Sequence, residues 1–488
     1  MARTGRTRRL LIGGIGIVVL ALCGFFLRGV RTPKQDVNEV HVSAGFEYIA
    51  APQNFKWRQF EGITLDFVVE NNINANILTR ESGEFTNVTG IHVNVRPMDY
   101  DSFIERTSID FISQTSRYEL IYVDPYQTLN RFYNALEDLN RFINDPTLPQ
   151  IDGWPHDFYQ DQVDVISHFL DRDTVYAIPF DTPTMILFYR KDIFDKYRAA
   201  FQAEHGYDWT PGTRDFTWER YIEVAKWIDA NVPDEEVKYG SGFMAQNHNA
   251  LYCGFSNVMA AYGADYFYDA DVSSLGLEKA VEVGVTSPEF IKSLEIYKRV
   301  IQASAPDSLE WDWVDLAEAF KRGEIAMMPN WDENWAAIEN GELSKVAGKV
   351  GYSILPYGDV RSANIYGGAG IGISKFATEE QKKAAWLFIV WMASRDIQLV
   401  ILNAPEGGNI PPRKSVCEDE EIRKATNALQ MEVVLSAWEE DKVYFRPKTA
   451  NFVHVERIIK DTLYDMLRND LTPEATAYAL AGQIDTLE

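Results

Sequence analysis

Cysteine is nearly absent from this chain. Cys23, Cys253 and Cys417 are the only three in 488 residues, too few for a disulfide framework, and the last two read as buried free thiols. Histidine is scarce too. Its seven copies (His41, His92, His156, His168, His205, His248, His454) are scattered, with no His-Glu-x-x-His and no Cys-x-x-Cys, so no metal is signalled. Neither a Gly-x-Ser-x-Gly elbow nor a phosphate-binding loop occurs, and there is no internal repeat. No cofactor is expected. Positive charge is also in deficit: 47 Lys plus Arg stand against 72 Asp plus Glu, a net charge of −25. Residues 1–34 hold seven basic residues and no acid, which leaves 40 against 72, or −32, for the remainder. Such a surface repels phosphate backbones and anionic lipid, so nucleic acid is excluded as a partner. A neutral or cationic small ligand suits it better than an anionic one.

One apolar run stands out. Leu10 to Leu27 spans 18 uncharged residues behind a basic flank, which marks residues 1–30 as an export signal or membrane anchor. The expected location is extracytoplasmic, tethered to the membrane through the N-terminus. Leu20-Ala-Leu-Cys23-Gly24 resembles a lipobox with Cys23 as the candidate lipid attachment point, although Leu22 stands where that motif needs a small residue. Residues 31–59 lack sustained periodicity and read as a tether.

From residue 60 onward the chain is patterned. Its length calls for two or three lobes, and 13% aromatic content is on the rich side. Ile63, Leu65, Phe67 and Val69 alternate as a strand, and Ile73, Ile77 and Leu78 share a helix face. Ile91–Val95 alternates again, Tyr100 to Phe111 forms a helical stripe, and Glu119–Asp124 is a third strand. That order predicts a parallel sheet covered by helices. Asp181-Thr-Pro-Thr184 then breaks two apolar runs with a proline-stiffened polar bend, the kind of bend a chain needs to cross from one lobe to another. Beyond it, Thr217, Ser287-Pro288 and the capping box Thr378-Glu-Glu-Gln381 predict helix starts in a second α/β region.

Several segments, in order, carry a resemblance. They are Phe85…Gly90-Ile-His-Val-Asn-Val95, Tyr118-Glu-Leu…Asp124, Tyr176-Ala-Ile-Pro179, Phe188-Tyr-Arg-Lys-Asp192 and Phe216-Thr-Trp-Glu219, then Phe320-Lys-Arg-Gly-Glu-Ile-Ala-Met327, Gly367-Gly368 and Gly407…Pro411-Pro-Arg413. Together they resemble the family 1 extracellular solute-binding proteins, of the maltose-binding type, over roughly residues 60–430. The resemblance implies an α/β, two-lobed periplasmic-binding-protein fold of type II with the ligand cleft between the lobes. It places the first lobe at 60–183, the second at 184–368, a return segment at 369–410 and C-terminal helices of the second lobe at 411–488. Crossovers would fall near Asp181–Leu187, Gly368–Ile373 and Gly408–Arg413. It implies a monomeric, non-enzymatic receptor that captures a carbohydrate, an oligosaccharide by preference, and delivers it to the permease subunits of an ABC importer. A secreted carbohydrate-active hydrolase and a membrane-linked sensor are the alternatives.

A sugar site needs aromatic platforms with polar groups at the rim. Trp331 follows a strand end and can either face the cleft or pack beneath the next helix with Trp335. Tyr366 adjoins Gly367 and Gly368, whose missing side chains would admit a ligand. Asp124, with Tyr126 beside it, can accept hydroxyls or cap a turn, and Asp181 can do the same or form an Asx turn. Asn71 and Asn72 close the first strand, one of them as a helix cap, while Arg413 and Glu406 are further candidates. Tyr252 and Phe255 read as core.

Overall fold

A computed structural model describes residue 46, residues 49–424 and residues 428–487. The expected signal or anchor, Cys23 and most of the expected tether lie outside these residues. The described end of the tether is not loose. Phe46, Phe55, Trp57 and Phe60 pack against a hydrophobic core.

That core surrounds a five-stranded sheet. Its strands are β1 (Thr64–Glu70), β2 (His92–Met98), β3 (Leu120–Val123), β4 (Ile178–Asp181) and β9 (Ala369–Ile373), in the spatial order β2-β1-β3-β9-β4. β1 runs parallel to β2 and β3, whereas β9 is antiparallel to both β3 and β4. The unbroken apolar run Phe67-Val-Val69 is fully buried, as a parallel strand covered on both faces requires. One cover is the helix Ile73–Thr89, which Asn72 starts by accepting from the Ala75 N–H. Another is Glu379–Met392, begun by the Thr378–Gln381 capping box. Its Phe388 meets Phe67 and Phe85 edge to face.

A second core surrounds an antiparallel sheet made of β5 (Met185–Arg190), β6 (Met327–Trp331) and β7 (Val350–Ser353), with β5 in the middle. Helices Lys191–His205, Trp218–Asn231, Asn249–Ala261, Pro288–Gln302, Trp313–Lys321 and the C-terminal Phe452–Asn469 pack around it. Tyr252 and Phe255 are fully buried there. A short parallel pair, β8 (Asn364–Ile365) and β10 (Val443–Tyr444), completes the strands. Among the described residues, Cys253 and Cys417 are buried and form no disulfide.

The chain passes between the two cores three times. The first passage, residues 182–184, joins β4 to β5. The second, residues 366–368, lies just before the segment expected from the sequence, because Ala369–Ile373 already pairs with β3 and β4. The third, residues 403–409, follows the helix Arg395–Leu402 and precedes Ile410, which belongs to the second core. The passages are bonded to one another: Gly367 N–H donates to Pro183 O at 2.8 Å, and the Thr182 hydroxyl donates to Ile410 O.

Candidate functional site

Between the two cores lies a cavity lined by Glu70, Asn72, Tyr100, Asp124, Asp181, Pro183, Asn249, Trp313, Trp331, Glu333, Gly367 and Arg446. Its position follows from how strands and helices end. Glu70, Asp181 and Trp331 are the last residues of β1, β4 and β6, and Asp124 follows β3 directly. Tyr100, Asn249 and Trp313 are each the first residue of a helix. Side chains at carboxyl ends of strands and amino ends of helices project from the sheet into the space where the lobes face each other. The space is small, about 60 Å³ for the centre of a water-sized sphere. Tyr100 from the first lobe and Trp313 from the second meet edge to face with centroids 6.4 Å apart, so the lobes are closed.

Asp181 is the most densely bonded group. Its Oδ1 accepts from Asn74 at 3.0 Å and from the Asn409 amide, and its Oδ2 accepts from Asn72 at 2.8 Å and the Tyr122 hydroxyl at 2.6 Å. Burial nevertheless raises its pKa to about 6, with the Tyr122 and Asn409 bonds pulling it down. Asp124 accepts from the N–H groups of Tyr126 and Gln127 at 2.7 and 2.9 Å and from the Tyr100 hydroxyl at 3.2 Å. It thus caps the turn Pro125–Leu129 while lining the cavity.

Glu70 and Glu333 differ: no described residue donates a hydrogen bond to either carboxylate. Burial, then Asp181 and Asp124, push Glu70 up to about 8, with Arg446 opposing. Burial, Asp181, Glu70 and Asp332 hold Glu333 well above the usual carboxylate range. Asp332, fully buried behind the wall, is bonded to Thr184 N–H and Gln430, and burial brings it to about 7. Among the described residues the one cation on the wall is Arg446, which is 4% exposed and lies over the Tyr126 ring at 3.9 Å. Its Nε has no hydrogen-bond partner among them.

Five residues expected from the sequence line the cavity: Trp331, Asp124, Asp181, Asn72 and Gly367. Trp331 is 9% exposed; it lines the cavity and packs into the second core, edge to face with Trp313. Six others do not line it. Tyr366 is fully buried between Trp438 and Phe445, because Gly368 leaves room for its ring; a Cβ at 368 would sit 2.2 Å from the Tyr366 hydroxyl oxygen. Tyr126 supports Arg446 from below. Asn71 is exposed, its N–H bonded to Met98 O. Arg413 pins the third passage, donating to Ala393 O and Asp152 O and pairing with Asp157 at 2.7 Å. Glu406 is an exposed partner of Arg80.

Sequence reasoning missed Glu70, Tyr100, Asn249, Trp313, Glu333 and Arg446. Glu70 was within reach, since it closes the first strand. Arg446 was not, because it follows the two-residue strand β10 in a stretch without periodicity.

Comparison with known proteins gives the family and the fold. The family model for bacterial extracellular solute-binding proteins matches residues 83–430. A probable amino-acid ABC transporter periplasmic-binding protein, y4oP of Sinorhizobium fredii, is 23% identical over 410 residues, covering 83% of this chain and 84% of its own length. An ABC transporter solute-binding protein of Agrobacterium radiobacter K84, solved in complex with ribitol, superposes with a TM-score of 0.71 at 26% identity, over 88% of this chain and 99% of that one. Maltose-bound MalE3 of T. maritima has the same TM-score at 24% identity, over 87% of this chain and all (100%) of that one.

Proposed function

The chain belongs to the bacterial extracellular solute-binding proteins, and from that premise we propose that it captures a small carbohydrate or polyol by closure of its two lobes and presents it to an ABC importer. Membership places it outside the cytoplasm. One observation carries the choice of ligand: a cavity between the lobes whose wall combines aromatic rings (Tyr100, Trp313, Trp331) with carboxyl side chains that can accept hydrogen bonds (Glu70, Asp124, Asp181, Glu333). Rings stack on C–H faces and carboxylates take hydroxyl protons. The binding of ribitol by the Agrobacterium relative supports a polyol.

Volume supports a single small unit over an oligosaccharide. At roughly 10–15 Å³ per water position, the closed cavity has room for on the order of five waters. A signal or membrane anchor at residues 1–30, with Cys23 as lipid attachment point, and a tether at residues 31–59 belong to the same proposal, as do a monomeric state and the division of the chain between the lobes. The receptor reading also predicts that the bound solute is recovered intact.

The experiment is a thermal-shift screen of pentitols, hexitols, mono- and disaccharides alongside amino acids. A solute that binds only the folded state stabilises by about 2.7 kcal/mol at about 100 Kd, a rise of about 3 °C for a chain of this size. A polyol or monosaccharide producing that rise is the expected result. A rise with an amino acid alone would sink the carbohydrate reading, and shortened glycan products would favour a hydrolase.

A further inference from the structure

We infer that the solute carries a cationic nitrogen, so that the site takes a polyhydroxylated amine, an amino sugar or amino polyol, in preference to a neutral polyol. The inference rests on the receptor reading and narrows its ligand.

Charge is the first ground. Four acidic side chains, Glu70, Asp124, Asp181 and Glu333, line the cavity against one guanidinium, Arg446, among the described residues. Asp332 and Glu456 stand buried behind them, Glu456 bonded to Gln127 and Asn249. Helix N-termini do not discharge this excess. Helices beginning at Ile73, Tyr100, Asn249 and Trp313 point their N-termini at the site, but one or two first-turn N–H groups of each are already taken by Asn72, Asp99, His248 and Asp312, two of them acids themselves. Each terminus supplies at most about half a charge.

Unmet bonding is the second ground, and it is independent of the first. Asp181 and Asp124 have donors; Glu70, Glu333 and the indole N–H of the nine-tenths-buried Trp331 have no hydrogen-bond partner among the described residues. A neutral ligand that displaced water would strip solvation from two carboxylates and return only hydroxyl bonds. An ammonium returns both charge and donors. The rings suit it as well: Tyr100, Trp313 and Trp331 stand edge to face in succession, with centroids 6.4 and 6.5 Å apart, as walls that favour a cation near a ring face. A metal ion fits worse, since no three acidic, histidine or cysteine side chains converge to hold one among the described residues. The hydroxyl-bearing remainder of the ligand would occupy Asn72, Asn249 and Asp124.

The competing account is that Glu70 and Glu333 are protonated and donate to a neutral polyol. A matched set of ligands separates the two. Sorbitol, 1-amino-1-deoxysorbitol and gluconate share one carbon chain and differ in terminal charge; putrescine offers amines without hydroxyls. Calorimetric titration of the native protein near neutral pH should show 1-amino-1-deoxysorbitol binding at least about ten-fold tighter than sorbitol, and gluconate not at all. Glu70→Gln and Glu333→Gln, which imitate the protonated acid, should each collapse that preference toward unity. Sorbitol binding as tightly as the amine, or the preference surviving both substitutions, overturns the cationic assignment and leaves the carbohydrate reading standing. Putrescine binding while every polyol fails keeps the cation and overturns the carbohydrate reading. Binding of none of the four overturns both.

Discussion

Asp181 shows how much one buried carboxylate can be asked to do. Four donors converge on it, from Asn72, Asn74, Asn409 and Tyr122, so Asp181→Asn would turn an amide N–H₂ toward at least one of them. The expected cost is about 2–4 kcal/mol, measured by denaturant unfolding, since a charged acceptor is lost and a donor is orphaned. Trp331→Ala should lower ligand affinity and also cost about 2–4 kcal/mol, because the ring is both wall and core. Trp331→Phe, keeping most of the packing, should recover the stability; affinity recovered by Phe in full would show that the indole N–H is idle. The acids also set a pH response. Glu70 faces Asp124, Asp181, Glu333 and Arg446 and sits at about 8, with Asp332 at about 7 and Asp181 at about 6. Each is raised above its unfolded value, so its contribution is complete below about pH 4 and is lost as pH climbs through 6 to 8. The melting temperature of the ligand-free protein should therefore fall between about pH 5 and pH 8, and bound amine should oppose the fall. A ligand-free melting temperature that rises across that window contradicts these shifts.

At the scale of elements, the second passage is the sharpest test of packing. Gly368→Ala would place a methyl about where the Tyr366 ring stands, and Gly367→Ala would press on Trp331 at 2.9 Å and Pro183 at 3.2 Å. The first change should cost about 1–3 kcal/mol by overpacking. The second should weaken ligand binding more than stability, read as a Kd change exceeding any change in unfolding midpoint. These glycines also show what the sequence made legible. Their lack of side chains was plain, but the beneficiary was not: at 368 the room goes to a core tyrosine, not to solute. Strands and capped helices were readable because each carries a local periodicity or a cap, as at Phe67–Val69, Thr217, Ser287 and Thr378. The site was half readable. Asp124, Asp181 and Trp331 end strands, where pattern and position agree. Trp313 and Arg446 come from a helix start and an irregular segment whose placement depends on chain more than a hundred residues away. Nothing local announces that.

For the molecule as a whole, closure buries the acidic groups Glu70, Asp124, Asp181 and Glu333 in one cavity with Arg446, at a desolvation cost that bound solute would offset, so lobe opening should be the resting preference in the absence of solute. Scattering measurements should show a smaller radius of gyration with bound amine than without it; equal radii would argue against closure coupled to binding. Two of the site's three aromatic rings, Trp313 and Trp331, are tryptophans, which gives the same transition a fluorescence signal. The three passages between the cores decide the form of any such motion. Pro183 is tied to Gly367, Thr182 to Ile410, and Asp181 to Asn409, so the first passage is bonded to both of the others and bending it should pull on each. Three knuckles threaded on one pin let a door swing but not twist. The lobes should therefore follow a single path, along which the two halves of the wall, Glu70 with Asp124 and Glu333 with Trp331, would return to the same register at every closing.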